Sequence, residues 1–239
     1  MKFLDLTLAT PAHNLALDQA LLDEAEAYGT TEDVLRVWES DRPVVVVGRS
    51  SRVAQEVDLA ACRAARIDVL RRVSGGASVV AGPGCLMYAV ILSCERRPEL
   101  RMIDRAHRYV LETVARGLRT LVDDVSIQGI CDLTRGTRKF SGNSLRCQRH
   151  HILYHGTILY QFPLAWLSRY LNEPPRQPDY RQQRPHEAFV DNFPATGPEL
   201  KDALRAAWNA DQALPAWPTR RVAQLVAERY TRNAWNLRL

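Results

Sequence analysis

Residues 71–84 read RRVSGGASVVAGPG, and how this stretch is understood decides how the rest of the chain is read. Arg71 and Arg72 run into a Ser74-Gly75-Gly76 corner, and Ala77, Ser78 and two valines follow. Glycines at a corner reach positive φ without strain and let a ligand come close to the backbone. Their N–H groups can converge on an anion. Side chains alternate along a strand, so only one of the two arginines can face such a site. Taken alone, the stretch is a hairpin corner. It is neither a P-loop nor a dinucleotide fingerprint, because GxxxxGK[ST] and GxGxxG are both absent.

The chain has 239 residues, 46% hydrophobic and 25% charged, which suits a globular protein with a sizeable core. A net charge of +5 permits nucleic acid, an acidic protein or a phosphate-bearing ligand, without choosing among them. Five cysteines form no CxxC pair, so reduced thiols and a cytoplasmic location are expected. The start, MKFLDLTLATPAHN, lacks the long apolar run of a signal peptide, and VVVV at 44–47 is too short to span a bilayer.

Asn14 is a candidate cap for a helix with Leu15, Ala16, Ala20, Leu21 and Leu22 on one side. Strands are predicted at 35–40, 43–48, 68–72, 77–81 and 86–93, with Asp41-Arg42 as a tight connection and a helix near 59–65. From Asp104, apolar residues at spacings of three and four mark an amphipathic helix. Strand character returns over 125–160. The stretch 172–185 holds four prolines and reads as an extended, partly exposed loop. Helices are predicted at 198–208 and 219–235. The order is not a regular βαβα alternation, so the expected fold is one α+β domain, residues 1–239, around mixed, mostly antiparallel sheet flanked by helices.

Two further segments carry chemistry. In CDLTRGTRKFSGNSLR (131–146), Lys139 projects beside Ser141-Gly142, read as a second small-residue corner. A cation so placed can neutralise charge developing on a phosphoryl or acyl-phosphate group. In LYHGTILY (153–160), His155-Gly156-Thr157 interrupts an apolar strand, which points to close approach by a ligand or backbone. His150, His151 and His155 fall on different strand faces and make no convincing metal set.

In this order the segments NLALDQALL (14–22), VVVVGRS (44–50), RRVSGGASVVAGPGC (71–85), CDLTRGTRKFSGNSLR (131–146) and HGTIL (155–159) resemble the lipoate-protein ligase A branch of the biotin/lipoate protein ligases. The resemblance covers about residues 14–160, with RQQRPHEAF (181–189) a weaker addition. It implies a catalytic fold related to class II synthetases. It implies activation of lipoate or octanoate by ATP and Mg²⁺ to an acyl-adenylate, then transfer to a lysine of an acceptor lipoyl domain. Lys139 matches the essential lysine. Arg71 or Arg72, with Ser74, Gly75, Gly76 and Ala77, matches the wall around phosphate and acyl head. Asp132 matches a residue that holds Mg²⁺ or a ribose hydroxyl. Ser141 and Gly142 belong to the lysine motif, and His155, Gly156 and Thr157 to the strand lining the acyl tunnel. Cys85 takes the place of an adenine-binding Asn.

The sequence departs from the family pattern at Ala77, Ser78, Ala81-Gly82, Cys85 and Cys131, all near the expected nucleotide end. The length leaves no room for the usual C-terminal accessory domain, so a separate accessory subunit is one expectation. Neither a membrane nor nucleic acid is expected as a partner. Two other functions fit the motifs: an octanoyl or lipoyl transferase working through a Cys131 thioester without ATP, and a degenerate, non-catalytic binding module.

Overall fold

A computed structural model describes residues 1–239. The strands are β1 (Lys2–Asp5), β2 (Val34–Trp38), β3 (Val44–Val47), β4 (Asp68–Arg71), β5 (Val79–Ala81), β6 (Cys85–Ser93), β7 (Ser126–Gln128), β8 (Asp132–Arg135), β9 (Arg138–Cys147), β10 (His151–Leu159) and β11 (Gln212–Ala213). The helices are α1 (Pro11–Tyr28), α2 (Val53–Glu56), α3 (Leu59–Ala64), α4 (Ile103–Arg119), α5 (Ala165–Tyr170), α6 (His186–Phe189), α7 (Gly197–Ala207), α8 (Thr219–Leu225) and α9 (Asn233–Asn236). An eight-stranded sheet runs in the order β11-β1-β2-β6-β10-β9-β8-β7, and a three-stranded sheet in the order β4-β3-β5. The pairs β1–β11, β1–β2 and β3–β4 are parallel and the rest antiparallel. This is the expected α+β architecture with mixed sheets.

The large sheet is covered on both faces, which explains why β6 reads CLMYAVILS with no polar alternation. Met87, Ala89 and Ile91 pack on the side of α1 and the small sheet. Leu86, Tyr88, Val90 and Leu92 pack on the opposite side, under α4 and α7. The same alternation on β10 sends Leu153 and Leu159 to the α1 side, with His155 and Thr157 between them in phase.

Two local expectations need correction, and one strand went unread. Thr10, not Asn14, caps α1, its hydroxyl accepting from the His13 N–H at 3.3 Å. Asn14 lies one turn inside, where its amide bonds the backbone of Leu8 and Thr10 at 2.9 Å. Asp41-Arg42 makes the expected short connection, between strands of different sheets. The segment 219–235 is not one helix: α8 passes into a π-helical turn, Val226–Tyr230, and breaks before α9. The N-terminal strand β1 had no sequence signal, because four residues with one buried side chain show no readable period.

α1 is fastened to the sheet by a fully buried ion pair between Arg36 of β2 and Asp18. Arg36 also donates to the Asn14 carbonyl at 2.9 Å, the Asn14 amide oxygen at 2.7 Å and the Leu6 carbonyl at 3.0 Å. Burial works to raise the Asp18 carboxyl, but Arg36 and His155 beside it hold it below the usual range. Removing one partner of such a pair strands the other charge in the core. Asp18→Ala is therefore expected to cost about 3–5 kcal/mol in urea unfolding, with Arg36→Met in the same background recovering much of the loss; equal losses in single and double variants would contradict this.

Candidate active site

Three strands of the large sheet lay a polar row under one cavity. Asp132 pairs with Gly142 and Gly156 with Asn143, so Asp132, Gly142 and Thr157 stand in line across β8, β9 and β10. Ser144 and His155, directly paired, form the next row. Lys139 is three residues from Gly142, and in a regular strand an odd separation would put the two on opposite faces. A bulge in the β8–β9 pairing, opposite Leu133/Thr134, absorbs the extra residue. Phe140 and Ser141 consecutively face inward, Phe140 into the core and Ser141 onto the Asn143 amide at 3.1 Å. Lys139 is thereby returned to the cavity side, lying across Gly142, where a Cβ would stand 3.0 Å from the ammonium. Ser141-Gly142 is thus mid-strand and not a second corner.

The Lys139 ammonium pairs with Asp132 at 2.7 Å, and the Tyr180 hydroxyl donates to the other carboxylate oxygen, also at 2.7 Å. Lys139, Asp132, Gly142 and Thr157 stand where two lobes of the cavity meet. The larger lobe, about 690 Å³, is bounded by Arg72, Gly76, Cys131, Ser144, His155 and Gly156. The narrower lobe, about 150 Å³, is lined by Glu56, Ser78, Val80, Phe140, Leu159 and Phe189. Pro174, Arg176, Pro178 and Arg181 close it from outside. The proline-rich stretch 172–185, expected to be a loop, is therefore a strap over the site, with Arg176 and Pro178 touching both lobes.

The corner of residues 74–77 forms the rim of the larger lobe. Gly76 has φ 84°, and the N–H groups of Gly75, Gly76 and Ala77 have no partner in the protein. The two arginines divide as alternation requires, but neither is free for a ligand. Arg71 is turned away. Its guanidinium is spent on the carbonyls of Gly48, Arg49, Ser51, Trp235 and Arg238, so its assignment to the substrate wall is corrected. Arg72 borders the lobe but braces the corner from below, donating to the carbonyls of Val46 at 3.0 Å and Ala77 at 2.9 Å and to the Ser74 hydroxyl at 3.1 Å. Burial brings Arg72 down to about 10, which leaves it cationic at neutral pH.

Ser74 does not line the cavity; its hydroxyl meets His155 Nε2 at 2.5 Å and ties the corner to β10. Cys85 is also off the cavity, fully buried at the start of β6 with its thiol pushed up by burial, so its expected contact with a base is corrected. Gly156 is required by packing: a Cβ there would sit 1.8 Å from Asn143 Oδ1. The Asn143 amide in turn donates to the Cys131 carbonyl at 2.8 Å. Both Asp132 oxygens are engaged, and no three His, Cys, Asp or Glu side chains converge anywhere in the chain. The chain thus shows no cage of its own for Mg²⁺, and an ion carried by a nucleotide would meet Asp132. Sequence reasoning missed Tyr180 and Arg176, which a proline-rich loop does not advertise, and Glu56, whose carboxylate accepts from the Ser78 N–H at 2.7 Å and hydroxyl at 2.8 Å.

Residues 10–204 match the model of the lipoyl protein ligase A/B catalytic domain. The chain belongs to that family. A probable lipoate-protein ligase A of Mycoplasma pneumoniae is 28% identical over 68% of this chain and 46% of its own length. The chain spans about half the length of the curated ligases it matches first. An octanoyltransferase LipM of Geobacillus kaustophilus is 24% identical over 99% of this chain and 98% of its own. Among solved structures, a bi-partite lipoate protein ligase from Thermoplasma acidophilum, studied with its E2 lipoyl domain, superposes with TM-score 0.82 at 22% identity. That match covers 99% of this chain and 96% of the other. A lipoate-protein ligase A bound with ATP gives TM-score 0.77 at 24% identity, over 99% of both chains. These likenesses establish the fold of the lipoyl ligase family for this chain.

The family holds both ligases and transferases, so the state of Cys131 matters. Its thiol borders the larger lobe and is pushed up by burial and by Asp132, a rise that Lys139 and Arg72 oppose but do not cancel. A raised thiol is a poor nucleophile at neutral pH. Iodoacetamide labelling followed by peptide mapping is expected to modify Cys131 at pH 7.5 far more slowly than a free thiol, with the rate climbing above pH 9. Rapid labelling at pH 7 would show an activated thiolate instead.

Proposed function

We propose that this protein activates lipoate or octanoate with ATP to an acyl-adenylate and transfers the acyl group to a lysine of a lipoyl domain. The observation that carries this reading is the position of the Lys139 ammonium where the two cavity lobes meet. Adenylation needs a carboxylate and an α-phosphate brought together over one cation. A thioester transferase needs only one acyl pocket and an ionised cysteine.

In the first step the acyl carboxylate attacks the α-phosphorus and pyrophosphate leaves. Lys139 holds the carboxylate and a non-bridging phosphate oxygen, leaving Asp132 to Tyr180. The free N–H groups of Gly76 and Ala77, which line the larger lobe, are available to the same oxyanions, whereas Gly75 lies off the cavity. The apolar wall near Val46 and Met87 suits a hydrocarbon chain. In the second step the acceptor amine attacks the acyl carbon of the anhydride and AMP departs. Tyr180, bonded to Asp132, links the strap to the reacting pair, so substrate entry and strap position are coupled. Magnesium reaching the reaction would come with the nucleotide rather than from a protein cage.

The transferase reading is favoured by one observation, the match to LipM along nearly the whole of both chains. The raised Cys131 thiol weighs against it. Pyrophosphate release from ATP with octanoate, without acceptor, separates the two. Wild-type protein is expected to release pyrophosphate, Lys139→Ala to lose about 10²–10³-fold in rate, and Cys131→Ser to retain it. Acyl transfer from an acylated carrier protein without ATP, abolished in Cys131→Ser, would overturn the ligase reading. A lipoyl domain carried through the same assay and read by mass spectrometry reports the final amide.

A further inference from the structure

Behind the 74–77 corner lies a second cavity of about 300 Å³, separate from the two lobes and lined by five arginines: Arg49, Arg146, Arg221, Arg229 and Arg238. One carboxylate, Asp23, shares it. Both Asp23 oxygens are occupied, one by Arg221 at 2.7 Å and Gln19 at 3.3 Å, the other by Gln148 at 3.1 Å. Arg221 therefore balances Asp23, and the other four guanidiniums have no carboxylate partner in the protein. The Arg49 and Arg146 side chains make no hydrogen bond to the protein, and the buried Arg238 Nε has no partner either.

Such a cluster gathers more positive charge than its protein neighbours balance. Burial and the neighbouring cations Arg49 and Arg229 lower the Arg238 pKa, the direction expected of like charges held together. Packing alone accounts for two of the four: Arg229 and Arg238 stack on the Trp235 ring, at 4.4 and 3.9 Å from its centroid. Arg229 spends one N–H on the Gln19 amide oxygen at 3.1 Å and Arg238 one on the Arg49 carbonyl at 3.2 Å, and the remaining N–H groups of the stacked planes find no acceptor in the protein, the arrangement that grips phosphate oxygens. Stacking gives no reason for Arg49 and Arg146 to converge on the same space.

We propose that this arginine-lined cavity is an anion site that takes a diphosphate group. The cavity is concave and small, which suits a compact polyanion rather than a flat protein surface. Its four unbalanced cations exceed what a single carboxylate would neutralise. It also adjoins the catalytic cavity: Val73 in its wall precedes Ser74, and Arg146 is the next position after Ser144 on the same face of β9. A diphosphate could arrive as free pyrophosphate or within a nucleoside diphosphate ester such as coenzyme A, and the chemistry recognised is the same.

Isothermal titration with inorganic pyrophosphate tests the site directly. The full chain is expected to bind it, and Arg49→Gln and Arg146→Gln are each expected to weaken binding by about tenfold or more. Neither side chain bonds the protein, so both variants should keep the wild-type melting temperature. Lys139→Ala should bind as wild type does. This keeps the result independent of the ligase proposal, because a chain with no adenylation activity can still bind at the second cavity. Coenzyme A binding tighter than pyrophosphate, and lost in the same variants, would identify the ester as the source; equal or weaker binding would identify the free anion. No binding at millimolar pyrophosphate would overturn the proposal. So would binding lost in Lys139→Ala but intact in both arginine variants. A poly-glutamate peptide binding more tightly than pyrophosphate would also overturn it, in favour of an acidic protein surface.

Discussion

The Arg36–Asp18 pair is the contact on which the arrangement of this molecule turns. A guanidinium and a carboxylate out of water are costly unless every donor and acceptor finds a partner. Here both terminal nitrogens of Arg36 are spent on Asp18, Asn14 and Leu6, only its buried Nε is left without a partner, and the Trp38 indole N–H reaches the second Asp18 oxygen at 3.3 Å. This gives the NLALD motif a physical meaning: Asn14 and Asp18 are one helical turn apart and share one arginine from the sheet. Asp18 also lies 3.8 Å from His155 Nδ1, and His155 meets Ser74. A line of polar contacts thus runs from α1 through β10 to the corner at residues 74–77, crossing a core that is otherwise apolar. The rim of the larger lobe is registered against the helix through it.

Several parts of this arrangement were legible in the sequence. The apolar runs of β6 and β10 and the amphipathic α4 announce themselves by period, and the HGT interruption in β10 marks a close approach. That approach is made by Asn143 of the adjacent strand, at the position where Gly156 lacks a side chain. The lysine motif was placed correctly on a strand next to Gly142. What could not be read was the bulge that turns Lys139 to the same face as Gly142, because a bulge inserts a residue without changing composition. Arg71 and Arg72 are chemically identical in sequence, and only the partners supplied by residues 235–238 separate them. Arg36 carries no signal at all in VLRVW, which reads as an ordinary half-buried strand.

The departures from the family pattern are accommodated in different ways. Ser78 has recruited Glu56, whose carboxylate holds both the Ser78 amide and its hydroxyl and stays inside the narrow lobe. Cys85 has become core, beside a turn in which Glu39 accepts the Gly84 N–H at 2.8 Å. Cys131 presents its carbonyl to Asn143 and keeps its thiol protonated. The larger lobe thus keeps most of the motif residues, while the narrow lobe carries a carboxylate. A negative charge there favours groups that donate hydrogen bonds, such as an exocyclic amine, over groups that bring more charge.

The grip of Arg71 on the C-terminal segment has a consequence for the order in which the molecule is made. Its N–H is bonded to Asn236, 165 residues later, and its guanidinium to the carbonyl of Arg238, 167 residues later. β4 leads directly into the corner that rims the cavity. During synthesis on a ribosome that corner cannot take its final bracing until residue 238 has emerged, when most of the sheet is already available to fold. Contacts this far apart in sequence close late and slowly. The sheet and its lysine can thus be in place before the rim is secured.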